Sequence, residues 1–414
     1  MTRNNGNNEE ASKQEKYIDD PDFLRSLVQT FLQEYLPVRL TPGGEAEISD
    51  HLGAGKHERV SSRSGHRNGY KPRRLNTRVG KLFLDVPQDR ESTFRTELFE
   101  RYQRSEKALI RSLQEMVIQG VSTRKVQKIT KELCGTTFSK SCVSDWCKKL
   151  DDEIGAWLAR PLELAYPYLI GDARYEKVRR DHKVESNGVL IVKGINEQGY
   201  RDLLAVDVVN TENVSNWGDL FNRLIDRGLH GVQLVISDNH KGLKQAIDRY
   251  FQGCSWQRCQ THFMKNVLDK VRPKDKTHVK QMLREVFDAP DYQTAWERLG
   301  NMVEMLRTTY PNLSESLEEQ CEDTLACFNF PAEHRKRIRT TNSLERLNQE
   351  IRRRTRVIRI FPNAQSCLRL ISALCIEQSE EWLTGKIYLN MNLLENEEVE
   401  EEQPEMAMMK LQNI

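Results

Sequence analysis

The sequence predicts a multidomain α/β protein in which a mixed sheet carries an all-α insertion and is preceded by a helical domain of the helix-turn-helix type. Apolar runs between residues 165 and 259 predict five strands separated by two helices. The segments 104–150 and 265–335 carry apolar residues at helical spacing. A chain of 414 residues with 38% hydrophobic content is long enough to form several domains with buried cores.

Composition excludes several classes of protein. No apolar run approaches the ~18 residues that span a bilayer, and the polar start has no apolar segment for secretion. The nine cysteines form no Cys-x-x-Cys pair, which argues against a disulfide framework and for a reducing compartment. We therefore expect a cytoplasmic protein that does not bind membranes.

Charge is segregated along the chain, although the net charge is only +2. Residues 51–90 and residues 333–359 each hold ten Lys or Arg against three Asp or Glu, whereas 395–405 holds seven glutamates and no basic residue. Basic blocks of this kind indicate contacts with a polyanion, and the alternative is that they are solvated faces. The acidic tail is expected to be disordered.

The N-terminal hundred residues combine a helix with a basic element. A helix is predicted over 20–36, where apolar residues recur at steps of four. An irregular, donor-rich segment follows around RSGHRNGYKPRR (63–74), and KLFLDV (81–86) is typical of a strand. The basic side chains of this element that we expect to contact DNA are Arg63, Arg67, Lys71, Arg73 and Arg74.

Three short helices are predicted between residues 104 and 150. Ser122 is a candidate N-cap of the second helix, and Gly135 follows that helix. The third helix would expose Lys140, Lys148 and Lys149 for contact with DNA. This is the outline of a helix-turn-helix with a basic last helix, although many small helical bundles share the pattern.

The chain then alternates strands with helices. Strands are predicted over 165–178, 187–196, 201–210, 232–237 and 255–259, and helices over 214–229 and 241–251. The first of these helices is long enough to be a crossover to a parallel strand. The segment 265–335 follows as a helical insertion, in which Trp296 is expected to fill a core rather than to stack on a base.

Three acidic residues stand at positions suited to catalysis. Asp172 follows the run YLIG and Asp238 follows VQLVIS, at the polar ends of predicted strands. Reactive groups gather there in open α/β sheets, although Asp is also a common turn residue. Glu345 lies in the first turn of the helix predicted for TTNSLERLNQEIRRR (340–354). If Asn342 is the N-cap, Glu345 is the N3 residue and has a local capping role.

Four ordered runs carry a family resemblance: GDARYEKVR (171–179), ISDNHKGLKQAI (236–247), RCQTHFMKNVLDKV (258–271) and RTTNSLERLNQEIRRRTRVIRIFPN (339–363). Together they resemble transposases of the Mutator-like superfamily, in its bacterial insertion-sequence branch, over most of residues 100–390. The resemblance implies an RNase H-like catalytic domain with an acidic triad of the DDE type. Residue by residue, it assigns Asp172, Asp238 and Glu345 to that triad.

The resemblance also implies a reaction and its partners. Three carboxylates brought together repel one another unless cations neutralise them, so two Mg²⁺ ions are expected, with Mn²⁺ as a substitute. The expected reaction cleaves the transposon end to give a 3′-OH, which then attacks target or donor DNA. Arg352, Arg353, Arg354, Arg356 and Arg359 would bind the flanking phosphates. The partners are double-stranded DNA and a second copy of the chain, as a homodimer on DNA in the bacterial nucleoid.

Two smaller motifs have alternative roles. Cys259 and His262 of CQTH could be half of a zinc site, but structural zinc usually takes two spaced pairs of ligands and no second pair lies nearby. Cys-x-x-His recurs in the family, and we favour a role in packing or orienting the active site. The polar residues that follow the aspartates could contact substrate or merely face solvent: Lys177, Arg179, Asn239, His240 and Lys241.

Two other functions share many of these features. One is an RNase H-like nuclease or resolvase that cuts without joining, and the other is a non-enzymatic DNA-binding repressor. The presence of all three acidic residues within their motifs weighs against the repressor. The predicted segments are a disordered start (1–16), a helix with a basic DNA-binding element (17–100), a helix-turn-helix domain (101–164), two catalytic parts (165–264 and 339–390) around an all-α insertion (265–338), and an acidic tail (391–414).

Overall fold

The computed structural model describes residues 42–61, 63–77, 80–95 and 104–394. The helix predicted over 20–36 and the glutamate-rich segment 395–405 lie outside these residues. The chain divides into two compact units, residues 1–147 and residues 148–414. None of the described helices is long and apolar enough to cross a membrane.

The first unit begins with α1 (Pro42–Leu52) and an antiparallel hairpin of β1 (Arg67–Thr77) and β2 (Gly80–Asp89). The predicted strand over 81–86 lies within β2. The prediction of an irregular segment over 63–74 is wrong for most of its length, since strand β1 begins at Arg67, with one shift of register between Arg67 and Tyr70. Its apolar alternation is missing because most β1 side chains face solvent, and pairing with β2 supplies the hydrogen bonds that fix the strand.

The three helices predicted next in the chain are present as α2 (Lys107–Ile118), α3 (Thr123–Cys134) and α4 (Lys140–Lys148). The Ser122 hydroxyl caps α3 by accepting from Lys125 N at 3.4 Å, and Gly135 ends it with φ of 61°. The helices enclose a small apolar core that includes Leu113, Val126, Phe138 and Val143. Use of these helices as a DNA-reading helix-turn-helix stays a prediction.

The second unit is built on a five-stranded mixed sheet, which confirms the predicted α/β class. Its strands are β3 (Tyr168–Arg180), β4 (Lys183–Ile195), β5 (Arg201–Val209), β6 (Leu234–Ser237) and β7 (Ser255–Arg258). They lie in the order β5-β4-β3-β6-β7, and only β4 is antiparallel to its neighbours. The four remaining strands therefore run in one direction, an arrangement consistent with an RNase H-like domain.

Two helices cover the sheet through apolar residues at helical spacing. Trp217, Phe221 and Leu224 of α6 (Val214–Asp226) and Leu243 and Ile247 of α7 (Lys241–Tyr250) are buried in one cluster with strand residues. Burial of such side chains removes apolar area from water at roughly 25 cal/mol per Å², which fixes the helices on the sheet. The unit also contains α5 (Leu150–Leu158), before β3.

Helices follow β7 in the segment 265–335, and their assignment as an all-α insertion stays a prediction. They are α8 (Gln260–Asp269), α9 (Lys276–Phe287), α10 (Tyr292–Arg307), α11 (Pro311–Gln320) and α12 (Ala332–Ile338), with 3₁₀ turns at Glu322–Thr324 and Ala326–Asn329. The prediction that Trp296 fills a core is wrong. Its side chain is 42% exposed and stacks on Tyr292, because it lies at the margin of the buried stripe through Ala295 and Leu299.

The chain ends its described part with two long helices, α13 (Asn342–Ile358) and α14 (Ala364–Thr384). The residues of α14 contact β5 and β3, and Ser379 of this helix accepts a hydrogen bond from Leu203 N of β5 at 3.0 Å. The Arg369 guanidinium of α14 makes two hydrogen bonds to Asp151 of α5, at 2.6 and 2.7 Å. These contacts fix α14 against the sheet and against α5.

Candidate active site

The carboxyl ends of four strands meet at one edge of the sheet. Because β3, β5, β6 and β7 run in one direction, the residues that follow them emerge on the same side. Glu212 follows β5, Asp238 follows β6, and Cys259 follows β7. This is the edge where open α/β sheets place their reactive groups.

Asp172 and Asp238 occupy equivalent positions on neighbouring strands. In the parallel pairing of β3 with β6, Ile170 lies opposite Ile236. Each aspartate comes two residues later in the chain, Asp172 within β3 and Asp238 directly after β6, so the two residues lie at the same level of the sheet. Asp172 is 8% exposed, whereas Asp238 is half-buried at the end of β6.

The carboxyl group of Asp172 carries an electrostatic penalty in its ionised form. Burial raises its pKa most, and repulsion by Asp238 and, less strongly, by Glu345 adds to this, so that the pKa rises to about 7. His262 acts in the opposite direction. The three acidic residues predicted from the sequence therefore interact electrostatically in the fold, which is the expected signature of carboxylates that share a site.

Helix α13 lies along β3 and is connected to it at successive points. The Asn348 amide donates to Asp172 Oδ2 at 2.6 Å, and Arg174 Nη1 donates to Asn348 O at 2.7 Å. Further along, Thr355 Oγ1 donates to Glu176 Oε1 at 3.1 Å. Asn348 comes three residues after Glu345, on the same face of the helix. The helix that carries Glu345 is therefore fixed against the strand that carries Asp172.

The capping role considered for Glu345 is not present. The helix begins at Asn342, with Thr341 at the cap position and no side-chain cap hydrogen bond, so the predicted start at an Asn342 cap is wrong by one residue. Asn342 instead lies 3.2 Å from Thr261 Oγ1 on α8. The Glu345 carboxylate lies 3.6 Å from His262 Nε2 and is about one-third exposed.

Cys259 connects the ends of two strands to the start of α13. Its backbone N–H donates to Ser237 O at 2.7 Å, next to Asp238. Its buried sulfur accepts from both the N–H and the hydroxyl of Thr341, each at 3.4 Å. Burial raises the pKa of the thiol, but hydrogen bonds with His262 and Thr341 outweigh that effect and lower it. Interaction with Cys259 in turn raises the pKa of His262 to about 9, against the effect of burial.

Comparison with known proteins identifies the family of this chain. The model of the Mutator family of transposases matches residues 1–385. The chain belongs to the Mutator family of transposases. It is 47% identical over 392 residues to the transposase for insertion sequence element ISRM5 of Rhizobium meliloti (strain 1021), covering 95% of this chain and 96% of that one. It is 39% identical over 352 residues to the transposase for IS256 in transposon Tn4001 of Staphylococcus aureus, covering 84% and 90%.

Among solved structures, the Drosophila P element transposase strand transfer complex aligns with 72% of this Mutator-family chain and 83% of its own, at 12% identity and a TM-score of 0.30. That likeness is too low to support an argument about function. The family is shown by the sequence relatives, and the candidate site is inferred from the contacts among Asp172, Asp238 and Glu345.

The site of this Mutator-family chain offers oxygen donors to a metal ion. In residues 42–61, 63–77, 80–95 and 104–394, no group of three or more His, Cys, Asp or Glu side chains stands ready to hold a metal ion. Asn348 Oδ1 is nevertheless buried beside Asp172 without a hydrogen-bond partner. With Asp172 and Asp238, it offers the all-oxygen donors that suit Mg²⁺, an ion usually bound by one or two carboxylates together with substrate phosphates. The donors present therefore fit such an ion.

The arginines predicted to bind DNA divide into two groups on α13. Arg352, Arg356 and Arg359 are exposed. Arg353 is 70% exposed but lies 3.5 Å from Glu350, and the largely buried Arg354 makes a 2.6 Å hydrogen bond to the same carboxylate. The structure therefore places the Arg354 guanidinium inside the fold, where a structural role is the better interpretation.

The basic residues predicted in the first unit lie on and near the hairpin. Arg67 donates to Ser49 Oγ at 2.7 Å, and Arg63 donates to Gly65 O at 2.7 Å, so both hold local structure. Both also line a cavity of about 400 Å³ with other cationic side chains. The remaining predicted contacts are exposed or half-buried side chains: Lys71, Arg73 and Arg74 on β1, and Lys140, Lys148 and Lys149 in and after α4.

Two residues at the site were not predicted from the sequence. Asn348 contacts Asp172, and its spacing of three from Glu345 on a helix was an available signal. Lys193 is fully buried on β4, where its ammonium group contacts the Ser343 hydroxyl in the first turn of α13. Burial, reinforced by Arg201, holds the pKa of Lys193 well below its usual range. A single lysine inside the apolar run GVLIVKGI was the signal for it.

Proposed function

We propose that this Mutator-family protein is a DNA transposase that cuts a DNA strand at the transposon end and joins the exposed 3′-OH to another DNA. The proposed catalytic centre consists of Asp172, Asp238 and Glu345. The proposal is supported by family relatives that are named transposases over nearly the whole chain.

One observation supports the assignment of the centre more than any other. Two aspartates lie at the same level on neighbouring parallel strands, and the helix carrying Glu345 is hydrogen-bonded to one of them through Asn348. Residues 172 and 345 are far apart in the sequence, so a shared site requires long-range contacts of this kind. The mutual repulsion that raises the pKa of Asp172 is the expected consequence.

The metal donors proposed are Asp172, Asp238 and Glu345, with Asn348 Oδ1 adjacent. Mg²⁺ ions, or Mn²⁺ in their place, would supply activation of the attacking oxygen and stabilisation of the leaving oxygen when bound there. The side chains of the protein have separate tasks. Asn348 orients Asp172 by its 2.6 Å hydrogen bond, and Cys259 fixes the start of α13 through Thr341.

The reaction proposed has two steps at one site. Water attacks the phosphorus at the transposon end and the bond to the 3′ oxygen breaks, which leaves a 3′-OH. This hydroxyl then attacks a phosphodiester of the receiving DNA, where a P–O bond forms and another breaks. The same acidic residues serve both steps because the two nucleophiles are both oxygen atoms attacking phosphorus.

DNA is the proposed partner of both units. The basic hairpin within segment 17–100 and the three helices within segment 101–164 would bind the terminal inverted repeats, with phosphate contacts supplying most of the affinity. Two ends must be brought together for joining, so we propose a homodimer on DNA. The segments 165–264 and 339–390 would form the catalytic part around the helices of 265–338.

The test is a strand-joining assay with purified full-length protein, Mg²⁺, a labelled duplex that contains the end of the element, and a supercoiled target. Wild-type protein is expected to give cleaved and joined products. Asp172→Asn, Asp238→Asn and Glu345→Gln are each expected to lose both products while binding the labelled duplex with unchanged affinity. Glu380→Gln, which neutralises an exposed carboxylate on α14, is the control and should retain both products.

Each other result has a defined meaning. Cleavage without joining would identify a nuclease or resolvase, and DNA binding without cleavage by the wild type would identify a repressor. Joined product from any of the three acidic variants would remove that residue from the centre.

A further inference from the structure

Lys193 has no solvent-exposed surface, and the proposed catalytic centre does not use it. It lies on β4 opposite Ile170 of β3, and Ile191 lies opposite Asp172. Residues directly opposite each other in a sheet point to the same face, and so do residues two apart on one strand. Lys193 and Asp172 therefore point to the same face. This is the face on which α13 lies, since Asn348 of that helix contacts Asp172.

The surroundings of Lys193 favour a neutral amine over an ammonium ion. Within the described part of the chain no carboxylate pairs with it, and burial together with the nearby Arg201 holds its pKa well below the usual range. Its Nζ atom lies 5.6 Å from the ring of Trp382 and 5.7 Å from that of Tyr388. The Arg201 guanidinium lies closer to the same two rings, at 4.7 and 4.5 Å. A buried charge without a counterion is costly, so the neutral form fits this site.

The amine contacts the first turn of α13. Lys193 Nζ donates a hydrogen bond to the Ser343 hydroxyl, and Ser343 directly follows Asn342, the first residue of the helix. The free N–H groups at a helix start give it a partial positive charge, which a neutral amine tolerates better than an ammonium ion does. The contact therefore joins β4 to the turn that also carries Glu345.

The start of α13 is held from two sides of the sheet. Thr341 donates to the sulfur of Cys259, which follows β7, and Ser343 is held by Lys193 on β4. In the strand order β5-β4-β3-β6-β7, the strands β4 and β7 lie on opposite sides of β3. Contacts from both sides restrict rotation of the first turn about the helix axis. Loss of one of them leaves that rotation less restricted.

Rotation of this turn changes the direction of the Glu345 carboxylate. Consecutive residues of an α-helix are about 100° apart around its axis, so Ser343 and Glu345 are about 200° apart. Ser343 is directed to Lys193 on β4, whereas the Glu345 carboxylate lies 3.6 Å from His262 Nε2 on α8. The two side chains therefore point to nearly opposite sides of one turn. A rotation that releases Ser343 also moves the Glu345 carboxylate relative to Asp172.

We propose that Lys193 is a positioning residue, which sets the direction of the Glu345 carboxylate through its hydrogen bond to Ser343. Packing alone does not account for a lysine here, because an apolar side chain of similar volume fills a core without burying an amine. The inference rests on the proposed function, in which Glu345 is a metal donor. It deepens that function by adding a residue that controls metal affinity without touching metal or DNA.

The first experiment measures metal binding without catalysis. Full-length protein is titrated with Mn²⁺ in the absence of DNA, and the free ion is followed by its EPR signal. Lys193→Met removes the amine, and Ser343→Ala removes the hydroxyl that it holds. Each variant is expected to weaken Mn²⁺ binding about 10-fold, the lower end of the range for residues that orient a ligand from outside the coordination sphere. Ser343→Thr keeps the hydroxyl and should bind Mn²⁺ as the wild type does.

Backbone hydrogen exchange in EDTA tests the position of the helix independently of metal. Lys193→Met and Ser343→Ala should each speed exchange over residues 342–348 about 2- to 12-fold, the factor for one hydrogen bond, and leave α9 and α10 unchanged. The double variant should differ little from either single variant, because both remove the same contact. Ser372→Ala is the matched control, since the buried Ser372 hydroxyl of α14 has no hydrogen-bond partner among the described residues. It should change neither exchange nor Mn²⁺ binding.

Several results would overturn the proposal. Unchanged exchange over residues 342–348 in Lys193→Met and Ser343→Ala would show that the contact does not hold the helix. Faster exchange in every helix of the second unit would identify a general packing role, and additive effects in the double variant would show that the two residues act separately. If wild type and Asp172→Asn bind Mn²⁺ equally, the proposed metal centre falls, and the exchange result alone decides whether Lys193 positions α13.

Discussion

Removing the charge of Asp172 is expected to stabilise the metal-free protein at alkaline pH. The pKa of this carboxyl group is about 7 in the fold, against an ordinary value of 3.8. In the unfolded chain the Asp172 carboxyl group therefore loses its proton as the pH rises through about 4. In the folded protein the same group keeps its proton until about pH 7. Each unit of pKa difference between the two states corresponds to about 1.4 kcal/mol. The free energy of unfolding therefore falls by up to about 4 kcal/mol as the pH rises from about 4 to about 7. Asp172→Asn removes this loss and keeps an oxygen that accepts the Asn348 amide.

The assay is urea unfolding of wild type and Asp172→Asn in EDTA at several pH values between 5 and 8. The variant should be more stable than the wild type at pH 8, and the difference should shrink steadily toward pH 5. Added Mg²⁺ should raise the midpoint of the wild type more than that of the variant, because a cation relieves the repulsion. Equal midpoints at pH 8 in EDTA would refute the reasoning, since the ionised carboxylate would then carry no cost.

Three further predictions follow from the same contacts. Leu169 lies on β3, the central strand of the sheet, and has no exposed surface; Leu169→Ala should lower the free energy of unfolding by about 2–5 kcal/mol, measured by urea unfolding. Cys259→Ser should reduce strand cleavage by disturbing Thr341 without changing metal content; one zinc ion per chain in the wild type would contradict this. The imidazole of His262 should stay protonated to about pH 9 by NMR titration, and Glu345→Gln should lower its pKa by removing a nearby negative charge.

The fold of the second unit could be predicted because its signals are local. Each strand is a continuous or alternating apolar run, such as VQLVIS for β6, and each crossover helix has apolar residues on one face. The hairpin strand β1 was missed because its side chains are mostly exposed and basic, so it has no apolar alternation. Trp296 was misplaced because a residue at the margin of a helical stripe has the same spacing as one inside it.

The candidate site could be predicted only in part, for a physical reason. Asp238 stands at a strand end and Glu345 in the first turn of a helix, positions that can be read from the sequence, whereas Asp172 lies within β3, which continues to Arg180 beyond the predicted apolar run. The contacts that hold the site together cannot be read from the sequence. Asn348 contacts Asp172 across 176 positions, and Thr341 contacts Cys259 across 82 positions. Arg354 is buried and Arg352 is exposed because of how α13 packs on the rest of the protein. A run of arginines in the sequence does not indicate which of them will be buried.

Helix α13 connects the proposed acidic centre to the exposed arginines at its C-terminal end. At its start, Thr341 donates a hydrogen bond to the Cys259 sulfur, and in its middle Asn348 donates one to Asp172. Just after its end, the backbone of Phe361 is hydrogen-bonded to β3. A site carried on a rigid helix and strand is held more precisely than one carried on loops. If Arg352 and Arg356 bind phosphates as predicted, the helix holds that DNA at a fixed distance from Asp172. Substitutions at Thr355, which touch neither metal donor nor phosphate, should then impair joining more than DNA binding, because they loosen that spacing.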